Sequence, residues 1–347
     1  MLAIVMAGCT KDVHDATLPV PVLFGGVSSE VLITKAVISS DADLAGRTFG
    51  VSAFDLNSGN LTEDDGMNLR NASARSSISG GKGVLTLDQK TFYPMGSDAE
   101  FSFYSYYPYA ETTYGQNRKQ AFVTIPVANT TDVLWAFAGG TKGGYNADYI
   151  RSGGPAPTFK YKHKTASISF NAYKDQEDVD VTIVNIGLAG VATKAKFCIA
   201  DIENPENEGK FIELIELSTK TSPRQVTNLS GSGGNLSSFV FTTEPKPISQ
   251  PIFIVPTEKV LVMADIRIGG NTARNWVEFE IDPSKLGAVE GDNGEKGFLA
   301  GHSYVFNLKV ISEASDVKFA VSLDSEDEVL DFDENQWKDA FTNQADE

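Results

Sequence analysis

Along most of this chain apolar and polar residues alternate with a period of two, the spacing of a strand with one buried face. The densest stretch is FSFYSYYPY at residues 101–109. Phe101, Phe103, Tyr107 and Tyr109 share one parity, and Tyr104 and Tyr106 the other. The segment therefore offers rings to both faces and reads as a central core strand covered on two sides, with Phe101, Phe103 and Tyr107 as core residues. A sugar-stacking platform is the competing reading.

The same pattern predicts strands at 47–54, 83–87, 101–107, 120–127 and 132–138. A second series follows at 166–173, 179–187, 193–199, 211–217, 238–243, 251–255, 259–268, 275–281, 302–311 and 317–323. A Gly-rich loop, 139–157, ending GGPAP, divides the two series. Helix is nearly absent, with one turn expected at 282–286 behind Asp282 as cap. In the last strand Val317, Phe319, Val321 and Leu323 make a strictly alternating apolar face. Near the other end, LPVPVLF at 18–24 alternates Val20, Val22 and Phe24 against Pro19, Pro21 and Leu23. Amide direction alternates along a strand, so both prolines remove donors from the same edge, and this segment pairs fully on only one side.

The chain has 347 residues, longer than one core usually grows, so two domains are expected. The division is residues 1–17 as signal and tether, 18–157 as the first domain and 158–347 as the second. A hydrophobic content of 41% is enough to fill such cores. The net charge of -17 repels nucleic acid and anionic membranes, and neither is expected as a partner. Much of it sits at the end: residues 322–347 carry ten acidic residues against Lys338, which reads as a solvated terminal segment.

The first residues, MLAIVMAGC, form an apolar run too short to span a bilayer, ending in small residues before Cys9. Met6-Ala7-Gly8-Cys9 looks like a bacterial lipobox, with Cys9 as the lipidated residue; Met6 stands where Leu is usual, and no basic region precedes the run. Cys9 and Cys198 do not form a disulfide framework. Cys198, within KAKFCIAD, reads as an inert buried strand thiol.

His14, His163 and His302 lie in three separate segments, none with a second ligand at metal-binding spacing, so no metal or other cofactor is expected. No HExxH, GxSxG or P-loop is present, and Gly80-Gly81-Lys82-Gly83 reads as a turn. The acidic pairs Asp41 with Asp43 and Asp331 with Asp333 read as solvated surface. Lys160, Lys162 and Lys164 form a basic stripe on one side of a strand, a solvated face or a contact for an acidic segment of another molecule. Nothing here supports catalysis.

Taken in order, the lipobox-like start, ITKA at 33–36, RTFGVSAF at 47–54, FSFYSYYPY, TDVLWA at 131–136, FKYKHKTASISF at 159–170 and LAGHSYVFNLKV at 299–310 cover nearly the whole chain. Together they resemble the fimbrillin-like family, the type V pilins and related surface lipoproteins of Gram-negative anaerobes. The resemblance implies an all-β fold of two transthyretin-like β-sandwich domains in tandem, export to the outer membrane as a lipoprotein, and assembly with other fimbrial subunits. Assembly in such pilins follows a protease cut after a basic residue, which removes an N-terminal strand and leaves a groove for C-terminal strands of the next subunit. On that resemblance residues 18–24 are the departing strand, Lys35 is the better cut site and Arg47 the second. Val317, Phe319, Val321 and Leu323 are the donor residues, with 329–332 as an extension.

The expected function is thus a non-enzymatic fimbrial subunit or surface adhesin. Its location is the cell outer membrane or a fimbrium, its membrane contact is through the N-terminal lipid only, and its further partner is a host or bacterial surface receptor. The acidic end departs from an efficient stalk donor, because a charge such as Asp331 is costly to bury. The alternative is a monomeric glycan-binding lipoprotein using Trp135, Trp276 or Trp337.

Overall fold

The computed structural model describes residues 18–29, 41–61, 67, 69–79, 82–95, 99–115, 118–139, 144–176, 180–229, 236, 241–268, 275–288, 291, 294–313 and 316–324. The first strands in chain order are β1 (Gly26–Ser29), β2 (Thr48–Asp55), β3 (Asn60–Leu61), β4 (Ala72–Ser79), β5 (Lys82–Leu87), β6 (Phe101–Tyr107), β7 (Thr112–Tyr114), β8 (Gln120–Pro126), β9 (Leu134–Ala138) and β10 (Thr158–His163). Then come β11 (Ala166–Lys174), β12 (Val181–Ala189), β13 (Ala192–Asp201), β14 (Phe211–Leu217), β15 (Arg224–Gln225), β16 (Lys246–Pro247), β17 (Ile252–Ile254), β18 (Val260–Ile268), β19 (Asn275–Ile281), β20 (Ser303–Glu313) and β21 (Asp316–Leu323). One short helix, α1 (Ala147–Arg151), lies within the loop expected at 139–157; Asn146 caps it by accepting from the Tyr149 amide. The turn expected behind Asp282 is the 3₁₀ segment Pro283–Leu286, where Asp282 Oδ1 accepts from the Ser284 amide.

The all-β reading holds. The first sheet has the order β3-β2-β4-β5-β1-β10-β9-β6, and β2 also pairs with β6, so the sheet closes on itself around a core. Phe49, Val51, Leu85, Phe101, Phe103, Phe159 and Tyr161 fill that core. The opposite face of β6 packs Tyr104 and Tyr106 against Val123, Ile125, Phe197 and Ile199 of a second sheet, ordered β14-β13-β8-β7. The aromatic strand is therefore covered on both sides, with Phe101, Phe103 and Tyr106 fully buried. Tyr106 fits because Gly50 lies beneath its ring: a Cβ there would stand 2.2 Å from the ring.

The remaining strands form a sandwich. One wall is β16-β11-β20-β21 with β17 also on β11, the other β15-β12-β18-β19, and the core between them includes Ile168, Phe170, Ile186, Val262, Phe306 and Leu308. The expected division after residue 157 falls one strand before the first sheet ends, because β10 pairs with β1 and β9, while β13 joins β8 from the earlier half. Two polar clusters tie the halves together. His163 Nδ1 lies 2.9 Å from Asp132 Oδ2, and Thr165 Oγ1 donates to Asp132 Oδ1, all three residues being buried where β10 runs into β11. Arg224 donates to Asn129 Oδ1 and to the carbonyls of Ala192 and Phe253.

Strand expectations change at 72–79 and at 238–243. Residues 72–79, ASARSSIS, are a strand although mostly polar, because β4 buries little beyond Ala74 and Ser76. Residues 241–243 of the strand expected at 238–243 are not in a strand, and 238–240 lie outside the described residues.

Candidate functional site

The site is the groove holding the first described segment, residues 18–29. Only Pro21 of the expected strand 18–24 forms a β-bridge, to Phe92; the regular strand, β1, begins at Gly26. The alternation is nevertheless as the prolines dictate. The Val22 amide donates to the Thr91 carbonyl and the Tyr93 amide to the Val20 carbonyl, both at 2.9 Å, so the even-numbered residues bond toward 91–93. Pro19 and Pro21 offer no donor on the opposite edge. Val20, Val22 and Phe24 point into the first core, while Leu18 and Leu23 are each 62% exposed.

Phe24 is the aromatic anchor. Its ring meets Phe103 edge-on at 5.6 Å and Phe159 at 5.0 Å. Beyond it the Gly25 amide donates to the Pro157 carbonyl, and β1 runs parallel to β10 from Gly26 opposite Thr158 to Ser29 opposite Tyr161. On its other side β1 pairs with β5 only at Val27 and Gly83. β1 is thus the strand that bridges β5 and β10, and its absence would leave two open edges over an apolar hole.

The burial of Val20, Val22 and Phe24 sets the strength of this hold. At about 1.5–3 kcal/mol for each buried side chain, the segment gains roughly 5–9 kcal/mol from its place in the core. Cutting the chain beyond it does not by itself release the segment; a replacement with comparable apolar side chains must compete for the groove.

Of the expected processing sites, Lys35 lies outside the described residues. Arg47 is held on every side. Its Nε donates to the Asp43 carbonyl at 2.6 Å, its Nη1 to Tyr107 Oη at 2.8 Å, its guanidinium lies 5.2 Å from the Tyr107 ring centroid, and its backbone carbonyl accepts from the Ser76 amide. Arg47 itself is half-buried.

The expected donor strand is β21. All of it, Asp316 to Leu323, pairs with β20, and Phe319 and Val321 are buried in the chain's own sandwich, with the Phe319 ring 5.6 Å from Phe279. Cys9, the extension 329–332, Asp331 and Asp333 lie outside the described residues. So do Trp337 and the side chain of Trp276. Trp135 is half-buried: its indole N–H donates to the Ile199 carbonyl at 2.8 Å, and Lys164 Nζ lies 4.9 Å from its ring centroid. Cys198 is buried, and that burial, with Asp201 and Glu208 nearby, pushes its thiol up to about 12. Among the described residues no three His, Cys, Asp or Glu side chains gather in a metal-holding group.

The polar set around Asp201 has no signature in the sequence. Its carboxylate accepts from Gln120 Nε2, the Asn204 amide and Asn207 Nδ2, while Glu208 Oε1 accepts from Tyr104 Oη and the Asp201 amide. These groups lie up to 104 residues apart in sequence, and only the pairing of β8 with β13 and the stacking of that sheet on β6 bring them together.

The first sheet closes on itself, and β1 joins β5 to β10 within it. The sequence profile of the family described as Fimbrillin-like matches residues 34–324, and the chain belongs to that family. Membership supports a fimbrial subunit or adhesin at the cell surface.

Solved structures that match the chain include a cell adhesion protein of Bacteroides ovatus, at 14% identity and TM-score 0.49 over 88% of this chain and 96% of that one. A fimbrial assembly protein of Parabacteroides distasonis matches at 12% identity and TM-score 0.39, over 88% and 99% of the two chains. The C-terminally truncated tip fimbrial protein Mfa3 of Porphyromonas gingivalis matches at 10% and 0.40, over 88% and 99%. No curated protein matches the chain significantly.

Proposed function

We propose that this chain is a fimbrial subunit or associated adhesin, exported as an outer-membrane lipoprotein through Cys9 and assembled by strand exchange after a cut at Lys35. The observation that carries the reading is the segment 18–29: Val20, Val22 and Phe24 of its proline-bearing stretch complete the first core, and its β1 joins β5 to β10. A donor that takes its place must present apolar side chains in alternation, as Phe319, Val321 and Leu323 do with Val317 before them. Leaving its own sandwich costs β21 the burial of Phe319 and Val321, which the groove must return, and after the cut the incoming strand displaces the N-terminal segment by competing for its place. Other copies of this chain or related subunits are the partners, and a surface receptor is the target of the assembled protein.

Limited trypsin treatment of the folded protein tests this. Cleavage near Lys35 followed by loss of residues 18–29 and formation of oligomers is the expected course. An excess of a peptide spanning residues 316–324 should cap the cut subunit and suppress the oligomers, and deletion after Glu313 should abolish them. Cleaved protein that stays monomeric with its first segment bound overturns the exchange. For export, Cys9→Ser should release the protein from membranes, and unchanged membrane association overturns the lipid anchor.

A further inference from the structure

On an acidic molecule, β10 presents a concentrated cationic face. Its side chains alternate: Phe159, Tyr161 and His163 are buried, while Lys160 and Lys162 are exposed on the other side. Lys162 stands opposite Trp135 of β9, Lys164 lies over the Trp135 ring, and Phe137, two residues along β9 on the same face, is 46% exposed. We propose that the acidic segment after β21, residues 325–347, docks within its own chain onto the face made by Lys160, Lys162, Lys164, Lys210, Trp135 and Phe137.

The topology aims the chain there. β21 runs antiparallel to β20 and ends with Leu323 opposite Phe306; β20 lies parallel to β11, with Phe306 opposite Phe170 and Ser303 opposite Ser167. The Asp324 amide bonds to the Val305 carbonyl, level with Ser169, so the chain leaves β21 heading toward the beginning of β11 and the junction that carries Lys164. Lys164 lies five residues before Ser169, about 17 Å along a strand, and two strands away, about 10 Å sideways. A handful of extended residues covers that distance, and residues 325–347 extend to about 75 Å.

The chemistry matches on two counts. Residues 325–347 hold nine acidic residues against Lys338, opposite in sign to the lysines, and intersperse Val329, Leu330, Phe332, Trp337 and Phe341, which suit the exposed ring of Phe137. Burial and the neighbouring charges of Lys162 and Lys210 already pull Lys164 down to about 8, so an anion brought to this face relieves a like-charge cluster. Tethering adds an effective concentration in the millimolar range, which favours the chain's own segment over that of a second copy.

Zero-length carbodiimide cross-linking of the full chain, mixed from ¹⁴N- and ¹⁵N-labelled protein, tests the proposal by mass spectrometry. Cross-linked peptides should join carboxylates of 325–347 to Lys160, Lys162, Lys164 or Lys210 within one isotopic label, and 0.5 M salt should suppress them, on the order of several-fold, by screening. In the double variant K160E/K162E, whose exposed side chains leave the core intact, chymotrypsin should clip at Trp337 and Phe341 about five- to tenfold faster, since clipping tracks the undocked population. Cross-links absent from these lysines, present only between different labels, or indifferent to salt overturn it, as does an unchanged clipping rate.

Discussion

Phe24 meets Phe103 edge-on, ring centroids 5.6 Å apart at 85°, and this contact ties the one-edged N-terminal segment to the aromatic strand β6. The two rings differ in what they support. Phe103 also contacts Tyr93 and Tyr145 and stands on a strand paired on both sides, so Phe103→Ala should lower global stability by about 3–5 kcal/mol. Phe24→Ala should act locally. Hydrogen exchange should speed up for amides 20–29 while those of β11 and β20 hold their rates; equal acceleration everywhere would show that the segment is part of the global core and not a separable piece.

Gly50 and Tyr106 form a close approach of a different kind, backbone against ring. Tyr106 Oη donates toward Asn71 Oδ1 at 2.7 Å and the Ala110 carbonyl at 2.8 Å, so the ring has no room to retreat from a methyl group at position 50. Gly50→Ala should therefore cost about 1–3 kcal/mol by overpacking. Tyr106→Leu should recover part of that loss in the double variant, measured as a non-additive change in urea midpoint.

How much of this was legible in the sequence follows from where the information resides. The two-faced burial of residues 101–107, the inward Val20, Val22 and Phe24, and the proline edge all follow from period-two parity, which is local. The strand at 72–79 was not legible, because β4 is mainly solvent-facing and its pairing with β2 and β5 is set by the sheet rather than by its own side chains. Nor was the placement of β10 in the first sheet or of β13 beside β8, since partner choice across 70 residues leaves no periodic trace. The groove was legible only as a one-edged strand; its lining by Phe103 and Phe159 needed the closed sheet.

Asp201 and Glu208 give acid stability two opposite contributions. Burial alone would raise the Asp201 carboxyl, but hydrogen bonds from Asn207, Gln120 and Asn204 outweigh it and hold the group below its usual range. Its contribution is present above the unfolded value, about 3.9, and is lost as pH falls through the folded one. Burial raises Glu208, which therefore costs stability at neutral pH and ceases to do so as it protonates. Asp201→Asn should flatten the loss of stability below about pH 4, whereas Glu208→Gln, which keeps an acceptor for Tyr104, should raise neutral-pH stability. Denaturant midpoints between neutral and acid pH read both, and a steeper acid loss in Asp201→Asn would contradict the assignment.

Arg224 offers the most direct test of how the two halves are joined. Burial brings its guanidinium down to about 10, yet it remains charged at neutral pH and is satisfied by Asn129 and by the carbonyls of Ala192 and Phe253, which belong to the loop after β8, to β13 and to β17. Asn129 returns the contact by donating to the Gln225 carbonyl and Thr227 Oγ1 and by accepting from the Phe253 amide. Arg224→Ala removes the donors and leaves buried acceptors unpaired, each costing about 1–3 kcal/mol. Because these bonds span both halves while each half keeps its own apolar core, the loss should fall on their coupling. Calorimetry of Arg224→Ala should show a broadened or split transition where the parent shows one. A single sharp transition merely shifted to lower temperature would mean that β13 against β8, and not this guanidinium, holds the halves together.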